Sequence, residues 1–367
     1  MNSSGLDNIL FIAPIPPPIT GQSLASFVLF ENLKDNYKLQ CVNLSKNSLV
    51  NGVSSIQRIF HIIEILFEIF RQKKQSDIIY LTISESISGN IKDLLVYLIC
   101  FNKLSKCLIH LHGGSLKKDV FDRNTIIYYI NIFFLKRVGG IIILGNTHKI
   151  IFDNIIQKNK IHIVSNFSQD YLFIDDKSFN IKFMNSKLNI TFLSNLIIGK
   201  GFDILLDSLK FMDNEDLEKI NIFFAGQFDS SISKNQFINK IKQYRNVKYL
   251  GIVDSIEKRN LLFNSQIFCL PTSLNEGQPI SILEAYASGC VVLTSLNGGI
   301  PDIFCDNENG YAINPLNSYT LYKIIIKSLN SMEHLKEIAK FNRSIASRKY
   351  NTNNYISSIK NIIDSIK

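Results

Sequence analysis

The chain has 367 residues, of which 46% are hydrophobic and 19% charged, a balance that indicates a folded globular protein and excludes a disordered chain. This length exceeds one ordinary core and predicts two domains of roughly 150–200 residues each. Lysine and arginine outnumber aspartate and glutamate by 40 to 31, so the chain is basic and is suited to an anionic surface or ligand.

The cysteines and the apolar runs indicate a cytoplasmic chain without a membrane-spanning helix. The six cysteines form no CxxC pair and mostly lie inside apolar runs, which is typical of free thiols in a reducing compartment. The first apolar stretch, 9–15, is short, contains Pro14 and follows no basic segment, so we expect no signal peptide. No run reaches eighteen apolar residues, and the candidate at 126–135 stops at Lys136.

Short apolar segments alternate with helical segments through both halves of the chain. Strands are predicted at 9–13, 39–43, 78–82, 107–111, 140–144 and 161–164, and then at 189–193, 221–224, 247–250, 266–270 and 291–295. Such alternation predicts right-handed βαβ units and parallel sheets, and therefore an α/β fold with two doubly wound domains.

The pattern restarts near residue 189, after a polar stretch at 165–187 that shows neither helical nor strand periodicity. We therefore predict domains at 1–170 and 188–345. The remaining segment, 346–367, is predicted to form a terminal helix, because it carries isoleucines at helical spacing: Ile356, Ile359, Ile362, Ile363 and Ile366.

Two loops of the first half follow predicted strands. The first, 13–23, is proline-rich and leads into a helix that Thr20 or Ser23 should cap, although a partner-binding loop is an alternative interpretation. After the strand at 107–111, alternation places His110 and His112 on one face. His112 is either a ligand-facing group or a structural histidine bonded to backbone. Two histidines without an acidic partner make a poor metal site.

A basic block lies in the first half, where residues 101–150 hold eight basic side chains against two acidic ones. Such a block attracts anionic lipid, nucleic acid or a phosphorylated substrate, or it forms an ordinary solvated face. The basic residues are Lys103, Lys106, Lys117, Lys118, Arg123, Lys136, Arg137 and Lys149. Because they are not interleaved with stacking aromatic residues, we do not expect a nucleic-acid partner.

The second half opens with a strand, a loop and a helix start at 192–203, where the loop contains Asn195 and ends in Lys200 and Gly201. Lys200 is placed to bind phosphate, and the alternative is an exposed lysine in a glycine-flanked turn.

Two carboxylates, Glu276 and Glu284, stand eight positions apart further along the chain. An apolar strand precedes Glu276, which falls in a loop, and Pro279 suits the first turn of a helix that carries Glu284. The free N–H groups of that turn lie between the carboxylates. This arrangement suits a polyhydroxylated, anionic molecule such as a sugar nucleotide, and two solvated carboxylates are the alternative.

The segment 275–289 resembles the carboxylate-pair motif of retaining glycosyltransferases of family 4, which have the GT-B fold. Segments 290–295, 298–302 and 309–311 are similar to the same family, whereas the first half resembles it weakly. Gln278 stands where the family has an aromatic residue, and Tyr286 stands where it has methionine. The resemblance implies two Rossmann-like, doubly wound domains that face each other across a cleft, with the first on the acceptor side and the terminal helix crossing back onto it.

The resemblance also implies roles for residues at the matching positions. Glu276 would contact hydroxyls of the donor sugar, and Glu284 would hold the ribose. Lys200 would bind the donor pyrophosphate, but Asn195 replaces an arginine of the family and brings neither its charge nor its fork. His112 would reach the donor sugar or the acceptor. Backbone near the donor would come from Gly21, Gly277, Gln278, Pro279 and Ile280.

The predicted function is therefore that of a retaining glycosyltransferase that moves a hexose-type sugar from a nucleoside diphosphate sugar to a hydroxyl. The chains that it resembles commonly act on lipid-linked glycans in O-antigen, capsule or exopolysaccharide assembly. We expect no metal and no cofactor, since no Asp-x-Asp motif occurs, and peripheral attachment to the anionic inner leaflet of the cell membrane.

An alternative is a catalytically weak nucleotide-sugar-binding or regulatory subunit, which Asn195 keeps open. A dinucleotide-dependent enzyme is excluded, because no GxGxxG motif follows a strand with an acidic residue about 20 positions later.

Overall fold

The computed structural model describes residues 7–45 and 55–366, which divide into two compact units. The first unit comprises 1–166, 276–278 and 353–367, and the second comprises 167–275 and 279–352. Each unit is built around one parallel sheet whose central strands are almost completely buried.

The sheet of the first unit has the order β2-β1-β3-β4-β5-β6, and all of its pairs are parallel. Its strands are β1 (Asn8–Ala13), β2 (Lys38–Asn43), β3 (Ile78–Thr82), β4 (Cys107–His110), β5 (Gly140–Ile143) and β6 (Ile161–Ile163).

The sheet of the second unit has the order β12-β11-β10-β7-β8-β9, again with parallel pairs only. Its strands are β7 (Leu188–Leu193), β8 (Ile220–Ala225), β9 (Val247–Gly251), β10 (Ile267–Leu270), β11 (Val291–Thr294) and β12 (Gly310–Ala312).

Helices connect these strands throughout the described residues. They are α1 (Gly21–Leu33), α2 (Ser55–Gln72), α3 (Ile87–Ile99), α4 (Thr125–Leu135), α5 (Lys149–Phe152), α6 (Asp176–Lys182), α7 (Phe202–Ser208), α8 (Asn214–Glu218), α9 (Ser231–Ile241), α10 (Ser255–Phe263), α11 (Ile280–Ala287), α12 (Ser318–Leu329), α13 (Met332–Lys349) and α14 (Thr352–Ser365). Within 7–45 and 55–366, no helix combines the length and the hydropathy that crossing a bilayer requires.

The predicted α/β fold with two doubly wound parallel sheets is confirmed, and each predicted strand is found within one residue at either end. Two elements were not predicted. Strand β12 has only three residues and pairs with β11 at the sheet edge. Helix α6 lies in the stretch expected to lack periodicity, because Phe179 and Lys182 are its only buried residues and leave too little pattern to detect.

The terminal helix α14 packs within the first unit. The Tyr37 hydroxyl donates to Asp364 Oδ1 at 2.8 Å, and Lys360 Nζ donates to Asn36 Oδ1 at 2.7 Å. Lys106 Nζ donates to the Ile366 carbonyl at 3.1 Å. The isoleucine stripe of α14 faces inward, with Ile359 and Ile363 fully buried.

Candidate functional site

The strand orders locate the point at which a ligand is expected in each unit. In an open parallel sheet, ligands bind beyond the carboxyl ends of the strands, where the strand order reverses. We call that side of a sheet its carboxyl edge. In the second unit the order reverses between β7 and β10, and in the first unit it reverses between β1 and β3.

At the carboxyl edge of the second unit, the loop after β7 is joined to the loop after β10. The Gly199 carbonyl accepts hydrogen bonds from Ser273 N at 2.7 Å and from Thr272 Oγ1 at 3.3 Å. Gly201 has a φ of +84°, and a Cβ there would lie 1.9 Å from the Pro271 carbonyl oxygen. Only glycine fits this approach, so the two glycines hold the loop in place.

This loop carries two of the predicted donor-binding residues. Lys200 is half-buried and directly precedes Gly201, whereas Asn195 is exposed at the start of the loop. Leu196 N donates to the Gln227 carbonyl at 2.8 Å, which links the loop to the end of β8. The structure therefore places Lys200 and Asn195 on one rigid loop at the reversal point of the sheet.

A cavity of about 370 Å³ opens beyond the ends of β8 and β9 in the same unit. Sequence reasoning missed it, because its residues come from two separate segments, 227–234 and 249–252. The Tyr249 hydroxyl donates to the Gly226 carbonyl at 2.9 Å and fixes one wall. The lining residues are Gln227, Phe228, Ser230, Ser231, Lys234, Tyr249, Gly251 and Ile252. Aromatic rings beside an amide and an amine suit a flat, polar ring system.

Glu284 lies on α11 as predicted, but it is only 3% exposed and is engaged in an ion pair. Lys258 Nζ donates to its Oε1 at 2.6 Å. Burial disfavours the charged amine, but the neighbouring carboxylate outweighs this effect and raises the pKa of Lys258. Nothing in the sequence indicated Lys258, since α10 and α11 are brought together only by the fold.

The start of α11 differs slightly from the prediction. Pro279 is the N-cap residue with a φ of −60°, so the helix begins at Ile280 rather than at the proline. Ile280 is buried at 6% exposure. Pro279 makes no side-chain cap, and the first-turn N–H groups of α11 are therefore not capped by the N-cap residue.

The segment 276–278, which holds Glu276, belongs to the first unit. Gln278 anchors it, because its Nε2 donates to the Leu144 carbonyl at 2.6 Å and its Oε1 accepts from Asn166 N at 3.1 Å. A Cβ at Gly277 would lie 2.0 Å from the His112 carbonyl oxygen, so glycine is required there. The side chain of Gln278 thus holds the loop, and its predicted ligand contact can come only from its backbone.

His112 lies just beyond β4, at the carboxyl edge of the first unit. Its ring stacks on that of His110, with centroids 3.9 Å apart, and the Tyr80 hydroxyl is 2.7 Å from His110 Nδ1. Within the described residues neither ring nitrogen of His112 has a hydrogen-bond partner, so the backbone-bonded alternative is not observed. Burial lowers the pKa of His112 to about 3, and the ring is neutral at physiological pH.

Glu85, a residue that sequence reasoning missed, lies beside His112 in the first unit. Its Oε1 accepts hydrogen bonds from Ser115 N at 2.6 Å and Leu116 N at 3.1 Å. The sequence offered no signal for it, because a single carboxylate after a strand is usually solvated.

Gly21 is the first residue of α1 and lies near the reversal point of the first sheet, after β1. Thr20 caps this helix as one of the two predicted candidates. Its Oγ1 accepts from Ser23 N at 3.1 Å, and Ser23 Oγ accepts from Thr20 N at 2.8 Å. This reciprocal capping box fixes the backbone that presents Gly21.

Comparison with known proteins gives a family match for much of the second half of the chain. Residues 173–345 match the family model for glycosyl transferases group 1. A human phosphatidylinositol N-acetylglucosaminyltransferase protein is 27% identical over 123 residues, which are 34% of this chain and 25% of that protein. The chain thus spans about a quarter of the length of this relative.

Solved structures share the fold of the whole chain. Anabaena HepE in complex with UDP-glucose superposes with a TM-score of 0.74 at 15% identity and covers 98% of this chain and 99% of its own. WaaG, a glycosyltransferase involved in lipopolysaccharide biosynthesis, has a TM-score of 0.70 at 12% identity and covers 98% and 99%. Residues 173–345 thus match the glycosyl transferases group 1 family model, and the chain has the fold of the GT-B glycosyltransferases.

Proposed function

We propose that this protein is a retaining glycosyltransferase that moves a sugar from a nucleoside diphosphate to a hydroxyl. The observation that carries the proposal is the carboxyl edge of the second unit, within the residues that match the family. There the loop after β7 presents Lys200 at the reversal point, held by two glycines and by the loop after β10.

In this proposal the donor lies along that edge. The cavity beside Tyr249 takes the nucleoside base, Lys200 and Asn195 take the diphosphate, and Glu284 takes the ribose. Glu276 contacts the donor sugar, and backbone near Pro279 and Ile280 approaches its phosphates.

The acceptor oxygen forms a bond to the anomeric carbon while the bond from that carbon to the phosphate oxygen breaks. The diphosphate leaves and takes up the proton of the acceptor hydroxyl, so we infer front-face attack without a protein nucleophile. Negative charge grows on the leaving group, and the Lys200 ammonium stabilises it. No metal or cofactor has a role in this scheme.

The supporting proteins indicate the class of acceptor. HepE was solved with UDP-glucose, WaaG is involved in lipopolysaccharide biosynthesis, and the human relative is named for a phosphatidylinositol substrate. We therefore propose a nucleotide-sugar donor and a lipid-linked glycan acceptor, as in surface-polysaccharide assembly. A weak or regulatory nucleotide-sugar-binding subunit is the second candidate, because Asn195 is exposed and uncharged at the position where the resemblance to family 4 implies an arginine.

A mass-spectrometric screen tests the proposal. The purified chain is incubated with common UDP-, GDP- and ADP-sugars, each with water alone or with octyl glycosides of common hexoses. Transfer to a glycoside, or hydrolysis of one donor, is expected. Binding of a nucleotide sugar without either reaction would favour the regulatory subunit, and no binding at all would contradict both candidates.

The structure also bears on the proposed membrane surface. Helix α2 packs on α3 and α3 packs on α4, and each presents large apolar side chains to solvent. On α2, Phe67 is 66% exposed, and on α4, Ile126 is 73% exposed. We call this surface the three-helix apolar face; it comprises Ile59, Phe60, Ile63, Phe67, Phe70, Ile91, Leu95, Leu98, Ile126, Tyr129, Ile130 and Phe133.

Exposed cations precede and follow α4 of this face, although not all of the predicted block contributes. Lys103 Nζ donates to the Ser76 carbonyl, and Lys106 Nζ donates to the Ile366 carbonyl, so these two lysines stabilise the fold. Arg137 lies over the Phe133 ring, 3.9 Å from its centroid, at the end of α4. Apolar and aromatic side chains rimmed by exposed cations match the interface of an anionic bilayer. The exposed cations are Lys117, Lys118, Arg123, Lys136, Arg137 and Lys149.

We predict reversible binding to vesicles that contain anionic phospholipid, and weaker binding to neutral ones. Each cation near the bilayer contributes about 1 kcal/mol, so neutralising Lys117, Lys118, Lys136 and Arg137 should weaken binding at least about tenfold. Phe67→Ser should weaken it as well, because the apolar face would lose its contact. Co-sedimentation at low and high salt measures both effects. Equal partitioning to both kinds of vesicle, or none to either, would contradict membrane docking.

A further inference from the structure

Glu85 lies in the loop between β3 and α3 of the first unit. It lies three positions after the last residue of β3, and Ser86 then caps α3, so its position is fixed by a strand on one side and a helix on the other. The adjacent strand is β4, and the loop after β4 carries His112. Glu85 therefore lies at the carboxyl edge of the first sheet, on the loop next to that of His112.

The carboxylate of Glu85 is packed against the His112 loop through both oxygens. Its Oε1 takes the two N–H groups of Ser115 and Leu116. Its Oε2 lies over Gly113, where a Cβ would come within 1.6 Å of that oxygen. A side chain at position 113 would displace the carboxylate from this place, and only glycine at 277 admits the His112 carbonyl.

The charge of Glu85 is costly at this position. Burial raises the pKa of Glu85, the N–H groups of Ser115 and Leu116 oppose the rise, and the carboxylates of Asp119 and Glu276 add to it. Two loop N–H groups could be satisfied by a neutral amide or hydroxyl. The loop N–H groups therefore do not require a half-buried carboxylate with other carboxylates nearby. Ionisable side chains with shifted pKa values cluster at functional sites.

Within the described residues, both hydrogen bonds to this carboxylate go to Oε1. Oε2 keeps its capacity to accept, and a carboxylate oxygen accepts strongly from a hydroxyl. We propose that Glu85 is an acceptor-binding residue: Oε1 holds the His112 loop, and Oε2 accepts a hydrogen bond from a hydroxyl of the acceptor sugar. This inference rests on the proposed function and on the resemblance to family 4, which implies that the first unit is the acceptor side.

Glu85→Gln tests the proposal. Glutamine keeps an oxygen that accepts the hydrogen bonds of the loop N–H groups, but it replaces Oε2 by an amide nitrogen that can only donate a hydrogen bond. Asp119→Asn is the matched control, since it removes the same charge nearby without touching the loop N–H groups. We expect Glu85→Gln to lower kcat/KM for an octyl glycoside acceptor about 10- to 100-fold. Donor hydrolysis, donor affinity and the melting temperature should stay within about twofold or a few degrees of the parent, as they should in Asp119→Asn.

The outcomes separate this proposal from the proposed function. Equal transfer by Glu85→Gln and Asp119→Asn would overturn it, and so would a parallel loss of donor hydrolysis, which would assign Glu85 to the donor. If the parent neither hydrolyses nor transfers any sugar, the proposed function fails. Saturation-transfer NMR with the octyl glycosides then decides: contacts that persist in Glu85→Gln contradict the proposal, and contacts that vanish support it.

Discussion

Lys200→Ala is expected to lower kcat about 10²- to 10³-fold, the size of effect seen when one donor to a developing negative charge is removed. Donor affinity should fall much less. The ground-state diphosphate is already charged, but the charge on its bridging oxygen grows as the anomeric bond breaks, so the ammonium matters most in the transition state. Steady-state kinetics of transfer or donor hydrolysis, together with calorimetric donor binding, measure both quantities.

Lys219→Ala is a matched control, because this lysine precedes β8 at the opposite edge of the same sheet and pairs with Glu215 at 2.7 Å on the surface. It should transfer at the parental rate. Asn195→Arg should leave activity intact or raise it, since an arginine at the start of the loop adds a cation beside the diphosphate. Parental turnover in Lys200→Ala would remove this residue from the phosphate site.

The central strands were predictable because each is a short apolar run that becomes buried on both faces, whereas β2, β6 and β9 are only partly buried. Phe268, for example, is fully buried in the middle of β10, and its neighbours in sequence are equally apolar. Strand β12 escaped prediction, since three residues beginning with glycine carry no pattern of their own. It forms only because β11 offers an edge with which Tyr311 and Ala312 can pair.

The positions of the candidate residues in the fold were predictable only where the deciding pattern is local in sequence. The positions of Lys200, Gly201 and Glu284 followed from loops and helix starts within a few residues of them. The ion-pair partner Lys258 lies 26 positions from Glu284, and Glu85 lies 30 positions from Ser115. Contacts over such distances depend on strand order, which a single sequence does not state.

The three-helix apolar face could not be predicted from the sequence either. Here apolar residues, which usually indicate a core, lie on the surface. The structure divides the apolar run 126–135 between surface and core. Phe133 is 47% exposed, whereas Phe134 next to it is 7% exposed. The exposed aromatic residues of α2 were not predicted as surface at all, because hydrophobicity alone indicates a core.

Glu284→Ala is expected to lower the free energy of unfolding by about 3–5 kcal/mol, because it leaves the Lys258 ammonium buried without its partner. The Glu284 and Lys258 side chains are only 4% and 16% exposed, and Nζ and Oε1 are 2.6 Å apart. The raised pKa of Lys258 means that the pair contributes fully below the ordinary pKa of lysine and is lost only as the pH rises through the raised value. Chemical denaturation at neutral pH therefore measures the whole effect.

This loss of stability would hide any role of Glu284 in donor binding, and a double variant separates the two. Glu284→Gln combined with Lys258→Met removes both buried charges and should regain most of the stability, since a neutral pair costs little to bury. Donor affinity should still fall by about 1.5–3 kcal/mol, the value of a hydrogen bond to a charged group. Isothermal titration calorimetry with the double variant measures this donor affinity. Parental donor affinity would make Glu284 a purely structural residue, whereas stability as low as that of Glu284→Ala would show that the ion pair is not what the fold requires.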